Sequence, residues 1–234
     1  MKLVSILGDS ISTFEGYNPP GYSVFYDEEM QYRNGLKTAD DTWWARVNRA
    51  LKATLCINNS YSGSRVTGAG FPSAYCDERL LCLHTEQYNP DIILVYLGVN
   101  DFGAGVKVKR GIFLKKDFFS FEYAYDVMVS KIKKLYPTAT IICGTLMKSI
   151  IRNQKEWVFP ECFAGVNLAD YNDAIRWIGK RRKCLVADLA SLALRYETLD
   201  GTHPTVEGHK EIAEAWVVCL KQIELLWLFG SMSG

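Results

Sequence analysis

A chain of 234 residues is long enough to form one α/β domain with a sizeable core. Hydrophobic residues make up 48% of it and charged residues 23%, as in ordinary soluble globular proteins. The formal charge of +1 gives no reason to expect nucleic acid or an acidic membrane surface as a partner. Without a linker, internal repeat or low-complexity segment, we expect a single domain over residues 1–234.

The seven cysteines indicate a reducing compartment, because they are odd in number and include no CxxC pair. Two of them, Cys143 and Cys184, lie in apolar runs that are typical of buried free thiols. No apolar stretch reaches transmembrane length, and Met1 leads directly into a strand-like run without a signal-peptide pattern. We therefore predict a cytoplasmic protein, an expectation that a leader removed from a longer precursor would change.

Short apolar runs alternate with helical segments along the chain. The predicted strands are 3–7, 54–58, 91–97, 139–146 and 184–189. The predicted helices are 41–53, 77–88, 121–135, 169–182 and 206–226. Repeated strand–helix units with β-branched strands favour a parallel sheet with helices on both faces.

Three segments are too long and irregular to be simple connections, namely 13–40, 102–120 and 147–168. By the alternation, each leaves the carboxyl end of a strand, and all three are rich in aromatic residues or carry them. Long loops at that edge of a sheet build binding surfaces. Each segment could equally cover an edge of the sheet.

Polar residues follow the first two predicted strands. Ser10 lies in the turn Gly8-Asp9-Ser10, just beyond the carboxyl end of the first strand. Taken alone, this tripeptide is an ordinary turn signature. The second strand enters a polar loop that ends at Gly63, whose amide can approach a bound group closely because glycine has no side chain.

The later strands add an amide, a carboxylate and an imidazole at the same edge. Asn100 follows the third strand, and Asp200 and His203 follow the fifth. Each has an alternative interpretation, since Asn and Asp favour turns and a histidine before a helix can simply be a surface residue. His209 is the rival base, and its place within the last helix predicts a surface histidine that points away from Ser10.

Together these residue types supply what acyl transfer requires. A serine hydroxyl becomes a nucleophile when a neutral imidazole removes its proton, and a carboxylate fixes the tautomer of that imidazole. The tetrahedral oxyanion then needs preorganised donors. Candidate donors are the Ser10 amide, the Gly63 amide and the Asn100 side chain.

Four blocks in this order resemble the SGNH hydrolases, also called GDSL-type esterases and lipases. The blocks are Gly8-Asp9-Ser10-Ile11, Asn59-Ser60-Tyr61-Ser62-Gly63, Gly98-Val99-Asn100-Asp101 and Asp200-Gly201-Thr202-His203. The resemblance implies a flavodoxin-like, three-layer α/β/α fold with a five-stranded parallel sheet of order 2-1-3-4-5. Ile11 stands where the family name has leucine, a change that touches no chemistry.

The resemblance also implies roles for individual residues. Ser10 would be the nucleophile, His203 the base and Asp200 the acid that orients it. Gly63 and Asn100 would complete the oxyanion hole with the Ser10 amide, although a neighbour of Gly63 could supply that donor instead. No metal or organic cofactor is implied.

We expect a serine hydrolase that releases a short acyl group, acetyl above all, from a carbohydrate or other small polar ester. Other open functions are a non-catalytic glycan- or acyl-binding module, a thioesterase and a lysophospholipase. The expected partner is a small-molecule ester, with neither nucleic acid nor membrane, and the apolar run 225–229 could pack on the sheet or form a homo-oligomer contact. There is no GxSxG elbow, and Ala69 stands where a phosphate-binding loop needs lysine.

Overall fold

The computed structural model describes residues 2–109 and 116–230, with side chains described as far as residue 223. The strands are β1 (Lys2–Gly8), β2 (Ala53–Ser60), β3 (Ile92–Tyr96), β4 (Thr140–Gly144), β5 (Lys148–Ile151), β6 (Cys162–Phe163), β7 (Val166–Asn167), β8 (Leu185–Ala187) and β9 (Arg195–Thr198). The helices are α1 (Glu28–Asn34), α2 (Trp43–Ala50), α3 (Asp77–Leu80), α4 (Val99–Gly103), α5 (Phe121–Leu135), α6 (Leu168–Arg182) and α7 (Val206–Gly230).

A parallel sheet of order β2-β1-β3-β4-β8 forms the middle layer. β8 is the fifth strand of this sheet in chain order, so the predicted 2-1-3-4-5 order and the flavodoxin-like fold are confirmed. Val4, Ile6 and Leu7 of β1 have no exposed surface. A strand buried on both faces of a parallel sheet is apolar throughout, which explains this run. The carboxyl end of β1 therefore opens at the centre of the sheet edge.

Helices cover the sheet in two layers. In one, α2 packs against α7, where the fully buried rings of Trp43 and Trp216 stack with centroids 5.4 Å apart. In the other, α5 packs against α6, and Phe121 meets Tyr171 at 4.5 Å. Burial of such large rings supplies much of the hydrophobic driving force for folding. Of the helices in the described residues, none is long and apolar enough to cross a membrane.

The predicted helix 77–88 is mostly wrong, because α3 ends at Leu80. Beyond it, side chains from distant elements satisfy the main chain. The Ser5 hydroxyl donates to the Leu83 carbonyl at 2.7 Å, and the Tyr136 hydroxyl accepts from the Leu83 amide and donates to the Leu80 carbonyl. These polar contacts replace the bonds that a longer helix would make.

The segment 147–168 contains more regular structure than its composition predicts. It holds β5 and the two-stranded hairpin of β6 and β7. β5 pairs in parallel with β9, a strand that the sequence did not predict, and β9 leads directly into the loop of Asp200. The segment 13–40 likewise holds α1, whose first turn is capped by the Asp27 side chain.

Other expectations have mixed outcomes. All seven cysteines are free thiols, but Cys184 is only partly buried, whereas Cys143 is buried as predicted. Part of the predicted segment 102–120 lies outside the described residues. The run 225–229 is part of α7. Its side chains lie outside the described residues, so its role remains a prediction.

Candidate active site

Ser10 sits in a tight turn at the end of β1. The buried Asp9 side chain caps this turn by accepting a hydrogen bond from the Ile11 amide at 3.1 Å. Glycine is required at position 8, because a Cβ there would lie 2.7 Å from the Ser12 side chain. Burial raises the pKa of Asp9 to about 7, although the bond from the Ile11 amide favours its carboxylate form.

The structure brings the three predicted catalytic candidates together. His203 Nε2 lies 2.9 Å from Ser10 Oγ, and His203 Nδ1 lies 2.7 Å from Asp200 Oδ2. The other oxygen of Asp200 accepts the amides of Thr202 and His203 at 2.9 and 2.8 Å. Burial opposes ionisation of Asp200, but the bonds from the ring and amide of His203 and the amide of Thr202 outweigh it and lower its pKa to about 2. Asp200 is therefore a carboxylate at neutral pH.

The small β5–β9 sheet positions the loop that carries Asp200 and His203. The Ser149 hydroxyl of β5 donates to the Gly201 carbonyl at 2.6 Å. On β9, the Tyr196 hydroxyl donates to the Thr202 carbonyl, and the Thr198 hydroxyl accepts from the Gly201 amide. Gly201 has a φ of 88°, a conformation that favours glycine. These bonds hold the main chain of the loop and leave the side chains of Asp200 and His203 to bond to each other and to Ser10.

An aromatic ring from segment 13–40 lies flat on the candidate base. Phe25 stacks on the His203 imidazole with centroids 3.4 Å apart and an interplanar angle of 7°. The neighbouring Tyr26 is fully buried and donates its hydroxyl to the Pro204 carbonyl at 2.7 Å. Sequence reasoning missed both roles, since aromatic content alone does not tell which ring meets which residue.

The same segment is tied to the nucleophile. The Thr13 hydroxyl donates to the Ser10 carbonyl at 2.9 Å and accepts from the Phe25 amide at 2.9 Å. One loop therefore contacts the nucleophile turn on one side and the imidazole on the other. It goes beyond the edge-covering role left open for it.

Two of the three candidate oxyanion donors, Gly63 and Asn100, line one cleft together with Asp200. Within residues 2–109 and 116–230, the amides of Ser10 and Gly63 donate to no other protein group. Asn100 donates one of its side-chain hydrogens to the Ser64 carbonyl at 3.0 Å, which leaves the second available. Gly63 has a φ of 76°, and no heavy atom lies within 4 Å of the position its Cβ would take.

A buried arginine that sequence reasoning missed organises this loop. Arg79 has no exposed surface and binds the carbonyls of Gly8, Asn59 and Pro72, the Asn59 side chain and the Ser64 hydroxyl at 2.6–3.0 Å. Burial lowers the pKa of its guanidinium to about 10, so it stays charged at neutral pH. No local signal in a short amphipathic helix distinguishes such an arginine from a solvated one.

Two further family-block residues have structural roles. The buried Asp101 carboxylate accepts the amides of Val66 and Thr67 and the Thr67 hydroxyl at 2.7–3.0 Å. Burial raises its pKa to about 6, against these hydrogen bonds. Asn59 is also buried, and its side-chain amide donates to the carbonyls of Arg79 and Cys82. Neither carboxylate nor amide faces the cleft.

A cleft of about 540 Å³ opens beside the candidate site. Its lining residues include Gly63, Asn100 and Asp200. Aromatic residues form much of its wall, namely Phe102, Trp157, Phe159 and Phe163. A volume of this order suits a small ligand.

His209 has a different place from the one predicted. It is fully buried rather than on the surface, so the expectation of a surface histidine is wrong. Its Nδ1 accepts from the Trp43 amide at 3.2 Å, and its ring packs against Tyr26. His209 lies on the side of α7 that packs against α2. Its imidazole accepts the hydrogen bond of Trp43, the first residue of α2.

Within the described part of the chain, no three His, Cys, Asp or Glu side chains cluster as metal ligands would. The fold is a three-layer α/β arrangement with polar side chains at the carboxyl edge of its sheet. A family model described as GDSL-like Lipase/Acylhydrolase matches residues 2–162. The chain belongs to this family, and the resemblance to SGNH hydrolases is confirmed. The matched region ends before Asp200 and His203, which the fold brings to Ser10.

Solved structures agree with this assignment. A candidate GDSL-like lipase from Bacteroides uniformis is 30% identical, with 92% of this chain and 93% of that chain covered and a TM-score of 0.66. A similar protein from Bacteroides ovatus is 24% identical over 95% of this chain and 99% of its own, with a TM-score of 0.71. A carbohydrate acetylesterase family member from Sinorhizobium meliloti is 18% identical over 95% and 98%, with a TM-score of 0.62. No curated protein matches the chain.

Proposed function

We propose that this family member is a serine esterase in which Ser10, His203 and Asp200 form the catalytic triad. The observation that carries the proposal is the continuous hydrogen-bonded chain from Ser10 Oγ through the imidazole to Asp200, which lines a cleft. The bonded distances of 2.9 and 2.7 Å are those that proton transfer and tautomer control require.

In the first half of the reaction, His203 Nε2 takes the Ser10 proton while Oγ bonds to the carbonyl carbon of the ester. The amides of Ser10 and Gly63 and the free hydrogen of Asn100 donate to the oxyanion that forms. The imidazolium then gives its proton to the departing alcohol as the ester C–O bond breaks, which leaves an acyl group on Ser10.

In the second half, His203 takes a proton from water, and the resulting hydroxide attacks the acyl carbon. The bond to Ser10 breaks and the serine regains its proton, so a carboxylic acid is released and the enzyme is restored. Asp200 holds Nδ1 protonated and stabilises the imidazolium without taking the proton itself. Its low pKa, about 2, suits this role because it remains an anion throughout.

The substrate we propose is a short acyl ester, acetyl above all, of a carbohydrate or similar polar alcohol. The four aromatic rings of the cleft can stack on sugar faces. The carbohydrate acetylesterase from Sinorhizobium meliloti shares the fold, which is consistent with this chemistry.

The proposal is tested by labelling with a fluorophosphonate and by following acetate release. We expect a mass shift on Ser10 that Ser10→Ala removes. We also expect preference for p-nitrophenyl acetate over the butyrate, octanoate and palmitate esters, together with acetate release from an acetylated sugar. Unlabelled, folded wild-type protein would favour a non-catalytic binding module. Preference for octanoate or longer chains would favour a lysophospholipase, and thioester cleavage a thioesterase.

A further inference from the structure

Arg65 brings a positive charge into the cleft, two residues beyond Gly63. Its side chain is exposed and lines the same cleft as Asn100 and Trp157. In the part of the chain that the structure describes, its guanidinium makes no ion pair and donates no hydrogen bond to protein. Arg65 is the sole cation among the described residues that line this cleft.

The main chain that carries Arg65 is held on both sides. The Arg65 carbonyl accepts the Ala74 amide at 2.9 Å. The preceding carbonyl, of Ser64, accepts Asn100, and the following amide, of Val66, donates to Asp101 at 2.8 Å. The main chain at Arg65 is therefore fixed while the donors of its guanidinium are free, so binding a ligand requires ordering of the side chain but not of the loop.

The carboxylates of this region have hydrogen-bond partners of their own. Asp200 is the sole acidic side chain among the described lining residues, and it is engaged by His203 and two amides. Burial raises the pKa of Asp101 to about 6, and the Arg65 charge lowers that pKa in part, but the Asp101 carboxyl makes its hydrogen bonds to Val66 and Thr67. The donors of the Arg65 guanidinium therefore stay available, beside the proposed ester site, for an anionic group of planar or tetrahedral oxygens.

We propose that Arg65 binds an anionic group on the alcohol part of the substrate, so that the preferred substrate is a short acyl ester of an acidic sugar. This inference rests on the proposed function, because a small acyl group leaves the alcohol part to reach Arg65. The shared chemistry is a carboxylate or phosphate that accepts hydrogen bonds from the guanidinium. A carboxylate fits its fork in two parallel bonds.

The experiment compares 4-acetoxybenzoate with its methyl ester, which has the same acetyl group and the same ring but lacks the charge. Arg65→Gln is expected to lower the ratio of kcat/KM for the anionic to the neutral ester about ten-fold, since hydrogen bonds to charged groups are worth that much or more. Arg65→Lys should restore part of the ratio. The control is Arg33→Gln, which removes an exposed arginine on α1, away from the lining of the cleft, and should leave the ratio unchanged.

Two arms distinguish the source of the anion. Acetylated glucuronic acid against acetylated glucose tests a carboxylate, and 4-acetoxyphenyl phosphate against phenyl acetate tests a phosphate. The anion preferred by wild type and lost in Arg65→Gln identifies the class. Raising the salt concentration should reduce the preference, because the pair is solvent-accessible.

Binding without turnover separates failure of this inference from failure of the proposed function. Calorimetry of Ser10→Ala with 4-acetoxybenzoate should give an affinity that the added Arg65→Gln change weakens about ten-fold, even if wild type hydrolyses no ester. Equal affinity in the two variants, or an unchanged anionic-to-neutral ratio in an active enzyme, would overturn the role of Arg65.

Discussion

His203 and His209 lie six residues apart in the chain, yet their surroundings are opposite. The first lies between Ser10 and Asp200, and each of its ring nitrogens is hydrogen-bonded to one of them. The second is fully buried between α2 and α7, where one nitrogen accepts the Trp43 amide and the other has no partner within the described residues. The pair shows that the partners of an imidazole, and not its neighbours in sequence, decide what it can do.

The same contrast appears in the charge that each site tolerates. Burial lowers the pKa of His209 to about 3, with smaller contributions from Arg46 and His203. His209 is therefore neutral across the physiological range and has no route to a substrate. His203 instead has the Asp200 carboxylate on Nδ1, which in the proposed reaction would stabilise an imidazolium.

The largest effect on activity is expected at the proposed triad, and it would test the contrast between the two histidines most directly. Ser10→Ala and His203→Ala should each lower kcat/KM for p-nitrophenyl acetate by more than about a hundred-fold, because removing nucleophile or base disables the whole unit. Thermal unfolding should change much less than activity, since the Ser10 hydroxyl and the His203 ring make their side-chain hydrogen bonds to each other and to Asp200. Residual activity above about a hundredth of wild type in either variant would contradict the assignment.

The next largest effect on activity is expected at the proposed oxyanion hole. Asn100→Ala should lower kcat by roughly ten- to a thousand-fold with little change in KM, because the donor acts on charge that develops only in the transition state. Steady-state kinetics separate the two parameters. A change confined to KM would show that Asn100 binds the ground-state substrate instead.

A smaller effect is expected at Phe25, which stacks on His203 but not on His209. Phe25→Leu should lower kcat about two- to ten-fold, since aromatic stacking is worth about 0.5–1.5 kcal/mol. Two controls accompany this change. Phe25→Tyr keeps the ring and should retain wild-type kcat, and Tyr32→Ala removes an exposed aromatic of the same segment and should have no effect. A purely structural role would lower stability without moving the pH profile of kcat, whereas a positioning role should shift it.

The smallest effect on catalysis is expected at His209. His209→Ala should keep activity per folded molecule within about two-fold but lower the free energy of unfolding by about 1–3 kcal/mol, because the Trp43 amide loses its acceptor. Urea denaturation of this variant beside His203→Ala measures the separation. Loss of activity in the His209 variant with full stability would mean that the roles of the two histidines are exchanged.

The contrast also predicts a pH dependence of stability. The pKa of His209 is about 3 in the folded protein and near 6.5 when unfolded, so the unfolded state binds more protons between those values. The stabilisation is complete above pH 6.5 and is lost as pH falls toward 3, at up to about 1.4 kcal/mol per unit. The difference in unfolding free energy between wild type and His209→Ala should therefore shrink over this window. A constant difference would show that folding does not lower the pKa of His209.

Much of the fold could be predicted from local pattern. The bounds of α5 agree with the predicted 121–135, because its apolar spacing is strong and Pro137 follows it. The central strands were found to within a few residues, since strands buried on both faces are apolar throughout. By contrast, β5 and β9 are four residues each and are paired across more than forty residues, so neither carries a strong signal of its own.

For the site, residue types at strand ends pointed to Ser10, Asn100 and His203, because parallel strands deliver their carboxyl ends to one edge. What the sequence could not reveal were contacts made across the fold. The ring of Phe25 and the guanidinium of Arg79 act on residues far along the chain, and nothing in their own neighbourhood distinguishes them from ordinary loop and helix residues.

The hydrogen bonds of Arg79 limit how the loop 61–76 can be exchanged between related proteins. Ser64 and Pro72 of this loop are hydrogen-bonded to the Arg79 guanidinium, which lies outside it. The same guanidinium also donates to the Gly8 and Asn59 carbonyls. A loop transferred without this arginine would lose the hydrogen bonds that hold its conformation. The smallest portable unit therefore runs through Arg79 and must include its acceptors on β1 and β2.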